Sequence, residues 1–238
     1  MNIVLIGYGK MGKAIEAIAT ERGHEIVLRI DQGNFAELEA YPKDQIDVAI
    51  EFSNPEAAFG NLRYCMENGI KVLSGTTGWL SHKPVIEDLC RKKQGAFFYA
   101  SNFSVGVNLF FKLNEYLSKL MAPYGSYDVS IEEVHHTEKK DAPSGTAITL
   151  AEGVMRHREE LRSWVNQAEA QEGELPIVSI RQDPAPGTHT INYSSEIDTI
   201  TITHEAHTRK GFAQGAVLVA EWLADQQGVL SMQDFLPL

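Results

Sequence analysis

The chain has 238 residues, 43% of them hydrophobic, and a formal net charge of −11 at pH 7. This length allows one domain or two small ones with a substantial core, and the acidic balance argues against binding to nucleic acid or to an anionic membrane surface. Cys65 and Cys90 form no Cys-x-x-Cys pair, and no apolar run has the length of a membrane span or the features of a signal peptide. We therefore expect reduced core thiols and a cytoplasmic protein.

The chain begins with a strand, a glycine-rich turn and a helix in direct succession. Residues 3–6 are typical of a buried parallel strand, and residues 13–19 favour a helix that Gly23 can end. A G-x-G-x-x-G motif lies between them, and a second strand over 25–30 leads to an acid. Such glycines let the backbone approach a pyrophosphate, and such an acid accepts hydrogen bonds from the adenosine ribose. The predicted dinucleotide-binding residues are Gly7, Tyr8, Gly9, Lys10, Met11, Gly12 and Asp31.

Strands and helices continue to alternate through the first hundred residues. Residues 47–52, 71–74 and 96–99 predict strands, and 54–69 and 84–93 predict helices. This alternation predicts an α/β domain of the Rossmann type, with a doubly wound parallel sheet. Ligands bind at the carboxyl ends of such strands, which makes two more loops cofactor candidates, although turn chemistry alone would explain them. They comprise Gly75, Thr76 and Thr77, and Ala100, Ser101, Asn102 and Phe103.

The pattern changes near residue 104. A helix is predicted over 107–120, and 127–134 contains the period-two alternation of a half-exposed strand. Further strands are predicted over 177–181, 189–193 and 199–204. Together they predict a smaller α+β domain, with a mostly antiparallel or mixed sheet and one pair of helices.

The remaining segments complete the domain plan. Residues 156–176 are polar and predict a helix end followed by an exposed loop, and 213–227 predict a terminal helix that returns to the first domain. We therefore expect a dinucleotide-binding domain over 1–103 with 213–238, and a substrate-binding and oligomerisation domain over 104–212.

The span from Glu133 to Ala147 concentrates reactive side chains. It contains paired histidines, paired lysines and a Pro-Ser-Gly-Thr turn that leads into a predicted helix. Free N–H groups and the positive dipole end at a helix start favour an anion, and histidine exchanges protons near neutral pH. A polar loop before a well-capped helix would explain any one of these residues. All of them together favour a site for reaction on a small carboxylate substrate.

Five blocks of the chain resemble one known family. They match, in order, the pattern of dihydrodipicolinate reductases, also called 4-hydroxy-tetrahydrodipicolinate reductases, of bacterial lysine and diaminopimelate biosynthesis. The His-His-x-x-Lys-x-Asp-Ala-Pro-Ser-Gly-Thr-Ala block is the most specific of them. The blocks are residues 7–12, 75–78, 102–108, 135–147 and 186–190.

The resemblance implies a reduction by NADH or NADPH of a small cyclic imine, or its hydrated precursor, that carries two carboxylates. His135 and Lys139 would donate the proton. His136, Gly145 and Thr146 would bind substrate carboxylates, and the loops after the fourth and fifth strands would line the nicotinamide. The resemblance also implies a homotetramer joined through the sheet of the second domain, and two domains that close over the substrate. No metal site is predicted.

The acid that ends the second strand bears on cofactor choice. Asp31 is followed by Gln32, where family members that accept the phosphorylated cofactor often carry a basic residue. Because an aspartate repels a 2′-phosphate, we expect NADH to serve at least as well as NADPH.

Two other interpretations remain open. Another two-domain NAD(P)-dependent dehydrogenase should carry a Glu-Lys-Pro turn where residues 75–78 stand. A non-catalytic dinucleotide sensor would have no need of His135 and Lys139 beside an anion-binding turn.

Overall fold

A computed structural model describes residues 1–208 and 210–237. Its helices are α1 (Lys10–Glu21), α2 (Phe35–Ala40), α3 (Pro55–Glu67), α4 (Lys83–Lys93), α5 (Val105–Met121), α6 (Gly145–Met155), α7 (Lys210–Leu223) and α8 (Met232–Phe235). Its strands are β1 (Asn2–Ile6), β2 (Glu25–Ile30), β3 (Val48–Glu51), β4 (Val72–Ser74), β5 (Ala96–Tyr99), β6 (Asp128–His135), β7 (Ser163–Val165), β8 (Glu174–Arg181), β9 (Thr188–Ser194), β10 (Thr199–Glu205) and β11 (Gly228–Leu230). Among the described residues, no helix is both long enough and apolar enough to cross a membrane.

The chain divides into two compact units, Met1–Val105 together with Lys210–Leu238, and Gly106–Arg209. In the described part of the first unit, the strands form one sheet in the order β2-β1-β3-β4-β5-β11, and every neighbouring pair is parallel. The direction of winding reverses between β1 and β3, and this switch point is where ligands bind in such sheets. The sheet confirms the predicted Rossmann-type fold.

Helices cover both faces of this sheet, because successive strand residues point to opposite sides. Ile3 and Leu5 of β1 belong to a core with α1 and α7, whereas Val4 and Ile6 belong to a core with α2, α3 and α4. All four side chains are at most 1% exposed. Burial of each contributes on the order of 1.5–3 kcal/mol, so the central strand is strongly fixed.

Local chemistry sets the helix ends in the predicted way. The Asn54 side chain caps α3 by accepting the N–H of Ala57 at 2.9 Å, and Pro55 takes the first helical position. Gly23 follows α1 with a φ of +83°, which glycine adopts without strain.

The structure differs from the sequence-based expectation in several short elements. The segment 156–176 is not a plain exposed loop, because it contains β7 and the start of β8. The helix expected to reach residue 227 ends at Leu223, and β11 and α8 follow it; α2 is also absent from the prediction. β7 and β11 have three residues each, which is too short for a periodic pattern, and pairing with β8 and β5 fixes them instead.

The sheet of the second unit has the strand order β10-β9-β6-β8-β7 among the described residues. β10, β9 and β6 pair antiparallel, whereas β6, β8 and β7 pair parallel. α5 and α6 cover one face, where Phe110 and Leu150 belong to the same core as Ile131 and Ile191. The predicted mixed sheet with one helix pair is confirmed.

The covered face of this sheet changes from apolar to polar along β6. Val129 and Ile131 lie in the apolar core, and Glu133 and His135 follow on the same face because strand side chains alternate. All four are buried. Glu133 is in register with Ser179 of β8 and His189 of β9, and His135 is in register with Arg181 of β8.

Candidate active site

The glycine loop follows β1 at the switch point of the first sheet. Gly7 has a φ of +94°, and a Cβ on it would lie 2.1 Å from the carbonyl oxygen of Phe52. A Cβ on Gly12 would lie 2.4 Å from the carbonyl oxygen of Gly7, so both positions require glycine. Among the described residues, apart from the immediate chain neighbours, no atom lies within 4 Å of the position that a Cβ on Gly9 would take, and no side chain of them caps α1 at this end. The open space and the free N–H groups at Lys10 and beyond fit a pyrophosphate.

Asp31 lies exposed just after β2. Its Oδ1 accepts the N–H of Gln32 at 2.8 Å, and its own N–H donates to Oδ1 of Asn34 at 2.7 Å. The turn therefore holds the carboxylate outside the core, where it can accept hydrogen bonds from ribose hydroxyls.

The side chain of Tyr8 lies against α1, the helix that follows the glycine loop. Its hydroxyl contacts the carboxylate of Glu16, which raises the pKa of Tyr8. The same carboxylate accepts Nε of Arg29 at 2.9 Å. The loop thus offers its backbone to a ligand, while the phenol and the nearby guanidinium are both held by Glu16.

A buried carboxylate organises the carboxyl ends of β3 and β4. Glu51 is fully buried and accepts the Ser74 hydroxyl at 2.6 Å, the Thr76 hydroxyl at 2.9 Å, and both the hydroxyl and the N–H of Ser53. Thr76 is 6% exposed, whereas Thr77 is exposed. Of the residues predicted to line the nicotinamide here, Thr76 therefore shapes the loop and Thr77 presents its side chain to solvent.

The loop after β5 likewise combines buried residues with an exposed one. Phe103 is 2% exposed and its ring packs 5.4 Å from that of Phe52 and 5.8 Å from that of Phe98, measured between centroids. Ala100 is buried as well, whereas Ser101 is exposed. Oδ1 of Asn102 accepts the N–H of Ser104 at 2.9 Å and stabilises the turn.

Glu133 is the centre of the polar cluster in the second unit. Both of its oxygens lie 3.1 Å from the backbone N–H of Ser144, and Oε1 accepts the Ser179 hydroxyl at 2.8 Å. Arg181 and His189 approach the same carboxylate to 3.4 and 3.7 Å. Burial disfavours the charge, but the contact with His189 and the hydrogen bonds from Ser144 and Ser179 outweigh it and hold the pKa of Glu133 well below its usual range.

His135 lies beside this carboxylate without a hydrogen bond to it. Its Nδ1 is 3.5 Å from Oε2 of Glu133, and it finds no partner among the described residues. Its ring meets that of His189 edge to face, with centroids 5.0 Å apart. Burial is the main cause that lowers the pKa of His135 to about 4. The negative charge of Glu133 acts in the opposite direction, but the charges of His189, Lys139 and Arg181 offset it. The imidazole is therefore neutral at pH 7.

The loop between β6 and α6 carries a paired lysine. Nζ of Lys139 lies 2.7 and 2.8 Å from the two carboxylate oxygens of Asp141, which lowers the pKa of Asp141. The Arg181 guanidinium donates to the carbonyl oxygens of Lys139 at 3.3 Å and Asp141 at 2.7 Å. The N–H of His136 donates to the carbonyl oxygen of Ala185 at 2.9 Å. These bonds fix the path of the loop against β8 and the β8–β9 turn.

The sequence predicts an anion site at the start of α6. Ser144 caps the helix, since its Oγ accepts the N–H of Ala147 at 3.2 Å and lies 3.1 Å from Nε2 of His189. Gly145 is exposed and Thr146 half-buried. Their N–H groups belong to the first turn of the helix, where N–H groups have no intrahelical acceptors. They also lie at the positive end of the helix dipole.

Comparisons with known proteins decide the family. The family model described as dihydrodipicolinate reductase, N-terminus, matches residues 1–103, and the model for the C-terminus matches residues 106–236. The chain is also 48% identical over 238 residues to the 4-hydroxy-tetrahydrodipicolinate reductase of Christiangramia forsetii, with 99% of this chain and 98% of the relative covered. The chain belongs to the dihydrodipicolinate reductase family.

One further relative agrees with this assignment, and one solved structure shares the fold. The 4-hydroxy-tetrahydrodipicolinate reductase of Archaeoglobus fulgidus is 32% identical, with 96% of each chain covered. A solved structure of dipicolinate-bound dihydrodipicolinate reductase from Paenisporosarcina sp. TG-14 has the same fold, with a TM-score of 0.77, 24% identity and 99% of each chain covered. The protein is thus an oxidoreductase that uses a pyridine nucleotide to reduce 4-hydroxy-tetrahydrodipicolinate, a step of lysine and diaminopimelate biosynthesis.

In this family member, the sequence-based site omits the residues that hold the others in place. Glu133 could have been found, because it stands two positions before His135 in an alternating strand and so shares its face. Ser179 and Arg181 join the cluster only through strand register, which no local pattern reveals, whereas His189 lies in the 186–190 block without a role assigned to it there. Glu51 gives no signal beyond being an acid in an apolar strand.

The cluster also has the composition of a metal-ligand set. Single ligand atoms of Glu133, His135 and His189 lie within 4.8 Å of one another. The carboxylate already accepts the Ser144 N–H and the Ser179 hydroxyl and faces the Arg181 cation. Because these donors compensate its charge, we interpret the cluster as a hydrogen-bond network and predict no metal.

Proposed function

We propose that the loop between β6 and α6, with the first turn of α6, binds and protonates the substrate, and that the glycine loop of the first unit holds the cofactor. The observation that carries this proposal is the position of the N-terminus of α6. It follows Lys139 by a few residues in the chain, and it lies beside the polar end of β6. The product is tetrahydrodipicolinate. The unit Met1–Val105 with Lys210–Leu238 serves as the dinucleotide-binding domain, and Gly106–Arg209 as the substrate-binding domain.

Bound NADH or NADPH supplies the hydride. Gly9 and the first N–H groups of α1 bind the pyrophosphate, and the Asp31 carboxylate accepts hydrogen bonds from the adenosine ribose. Thr77, Ser101 and Asn102 contact the nicotinamide end, supported from beneath by Gly75, Thr76, Ala100 and Phe103. The buried positions of Thr76 and Phe103 support this division between contact and support.

The two substrate carboxylates need separate partners. Gly145 and Thr146 bind one of them through backbone N–H groups and the threonine hydroxyl, where the helix dipole favours negative charge. His136 binds a carboxylate as a hydrogen-bond donor. A net charge of −11 makes such local positive ends necessary for an anionic ligand to bind.

Lys139 is the proton donor in this proposal. Its ammonium both donates a proton and stabilises negative charge that develops on the reduced ring. His135 is neutral at pH 7 because of its lowered pKa, so it acts as a neutral hydrogen-bond partner of the substrate. It stays in the catalytic pair, but Lys139 carries the proton that the product gains.

Partners and location follow from the same residues. We propose a homotetramer and a cytoplasmic enzyme that binds neither nucleic acid nor membranes. The free, buried thiols of Cys65 and Cys90 and the net negative charge support this setting.

The test is a direct assay. Freshly prepared 4-hydroxy-tetrahydrodipicolinate is added to the purified protein with NADH or NADPH, and loss of reduced nicotinamide is followed. Turnover that dipicolinate inhibits competitively supports the proposal. A protein that binds NADH by calorimetry yet neither reduces the substrate nor binds dipicolinate would refute the substrate site while leaving the cofactor site intact.

A further inference from the structure

The buried carboxylate of Glu133 lies next to the residues of the proposed substrate site but is not itself exposed to solvent. Glu133 is fully buried, and its carboxylate is the acceptor for the N–H of Ser144 through both oxygens, each at 3.1 Å. That N–H belongs to the residue that caps α6 and immediately precedes Gly145. The carboxylate is thus one residue away from the proposed anion-binding N–H groups.

Further contacts tie the same carboxylate to the strands on either side. The Ser179 hydroxyl of β8 donates to it at 2.8 Å, and the Arg181 guanidinium approaches it to 3.4 Å while also holding the carbonyl oxygen of Asp141. His189 of β9 contacts Oγ of Ser144. The turn before α6 is therefore held by β6, β8 and β9 together.

We propose that Glu133 is a positioning residue, which fixes the turn at Ser144 so that the N–H groups of Gly145 and Thr146 meet a substrate carboxylate. This inference rests on the proposed function and adds a residue to it. An acid is required because the N–H of Ser144 meets both oxygens, and a buried amide whose oxygen takes the place of Oε1 would set its NH2 group in the place of Oε2, against that N–H. Its own charge does not repel the substrate, because those donors and Arg181 compensate it.

Glu133→Gln tests the proposal with two matched controls. Glu172→Gln makes the same change at an exposed position between β7 and β8. Ser179→Ala removes one donor to the Glu133 carboxylate without touching the turn. The readouts are the dissociation constants of dipicolinate and NADH by calorimetry, with KM and kcat for the substrate.

The expected result separates positioning from general damage. Glu133→Gln should weaken dipicolinate binding and raise KM by roughly tenfold to a hundredfold, with a smaller fall in kcat and unchanged NADH affinity. Ser179→Ala should have a smaller effect, and Glu172→Gln none. Hydrogen exchange of the Ser144 amide should accelerate in Glu133→Gln alone.

Two outcomes would overturn the proposal. One is an unchanged dipicolinate affinity in folded Glu133→Gln, and the other is an equal loss of NADH and dipicolinate binding. If Glu133→Gln does not fold, Glu133→Asp keeps the charge but withdraws it from Ser144, and it must show the same selective loss. Failure of the wild-type protein to bind dipicolinate would instead count against the proposed function itself.

Discussion

At the scale of single residues, the proposed mechanism assigns a charge to Lys139 and a neutral ring to His135. The ammonium of Lys139 is one of the charges that keep His135 neutral, together with burial and the charge of Arg181. The Asp141 carboxylate lies near the surface, 2.7 Å from Nζ of Lys139, and holds the ammonium in place. A lysine anchored in this way can donate a proton and recover it from solvent.

Lys139→Ala should lower kcat by roughly 10²–10⁴, the usual range for loss of a general acid. NADH affinity, measured by calorimetry, should hardly change, because the proposed cofactor residues belong to the other unit. Lys140→Ala, which removes the exposed neighbouring lysine, is the matched control and should retain normal kcat. His135→Ala should fall in the same range as Lys139→Ala. Near-normal kcat in both variants would mean that the catalytic site is wrongly assigned.

Thr146→Val should act on substrate binding instead. Valine keeps the shape of the side chain but removes the hydroxyl, which we propose binds a carboxylate in the ground state as well as in the transition state. Loss of such uniform binding raises KM and leaves kcat nearly unchanged. Steady-state kinetics at saturating NADH would check this, and a fall in kcat without a rise in KM would contradict it.

His135 should also make stability depend on pH. Its pKa falls from 6.5 to about 4 on folding, so the unfolded chain binds more protons between these values. The contribution of His135 to the free energy of unfolding is fully present above pH 6.5, and it is lost as pH falls toward 4 by about 1.4 kcal/mol for each pH unit. Urea unfolding of the wild type and of His135→Asn at a series of pH values would reveal it. The wild type should lose more stability than the variant, and identical slopes would exclude this role for His135.

At the scale of elements, β1, the glycine loop and α1 could be predicted almost residue by residue. A strand, three spaced glycines and a helix are local features, and Gly7 and Gly12 show why the spacing is strict. The substrate site was predicted less completely. The stretch from His135 to Thr146 is contiguous, but Arg181 and His189 lie on strands whose register depends on the whole sheet.

The turn after β2 bears on the choice between NADH and NADPH. Asp31 is exposed and held by its own loop, and Arg29 is paired with Glu16. Because that guanidinium is already neutralised, a 2′-phosphate would meet an anion without a free cation from β2, and Lys10 is the remaining basic side chain of the loop. We expect kcat/KM for NADH to equal or exceed that for NADPH. Asp31→Ala should improve NADPH more than NADH, and a large NADPH preference in the wild type would contradict the prediction.

At the scale of the whole molecule, the sheet of the second unit has one face that its own helices leave uncovered. Thr199, Thr201 and Thr203 are exposed there and bond to side chains of β9, as Thr201 does to Oδ1 of Asn192 at 2.8 Å. Val134, on the same face as these residues and opposite to Glu133, is half-buried. A face whose polar side chains bond to one another and that also carries a half-buried valine suits contact with a second copy.

We therefore expect a homotetramer of about four times the monomer mass, joined through this face, and light scattering would measure it. Thr201→Arg places a charge in the centre of the proposed interface and should shift the mass to smaller species. Leu113→Arg is the control, because Leu113 is 48% exposed on α5, which covers the other face of the sheet. A tetramer that survives Thr201→Arg but dissociates in Leu113→Arg would place the interface on α5, and a wild-type monomer at assay concentration would exclude the assembly altogether.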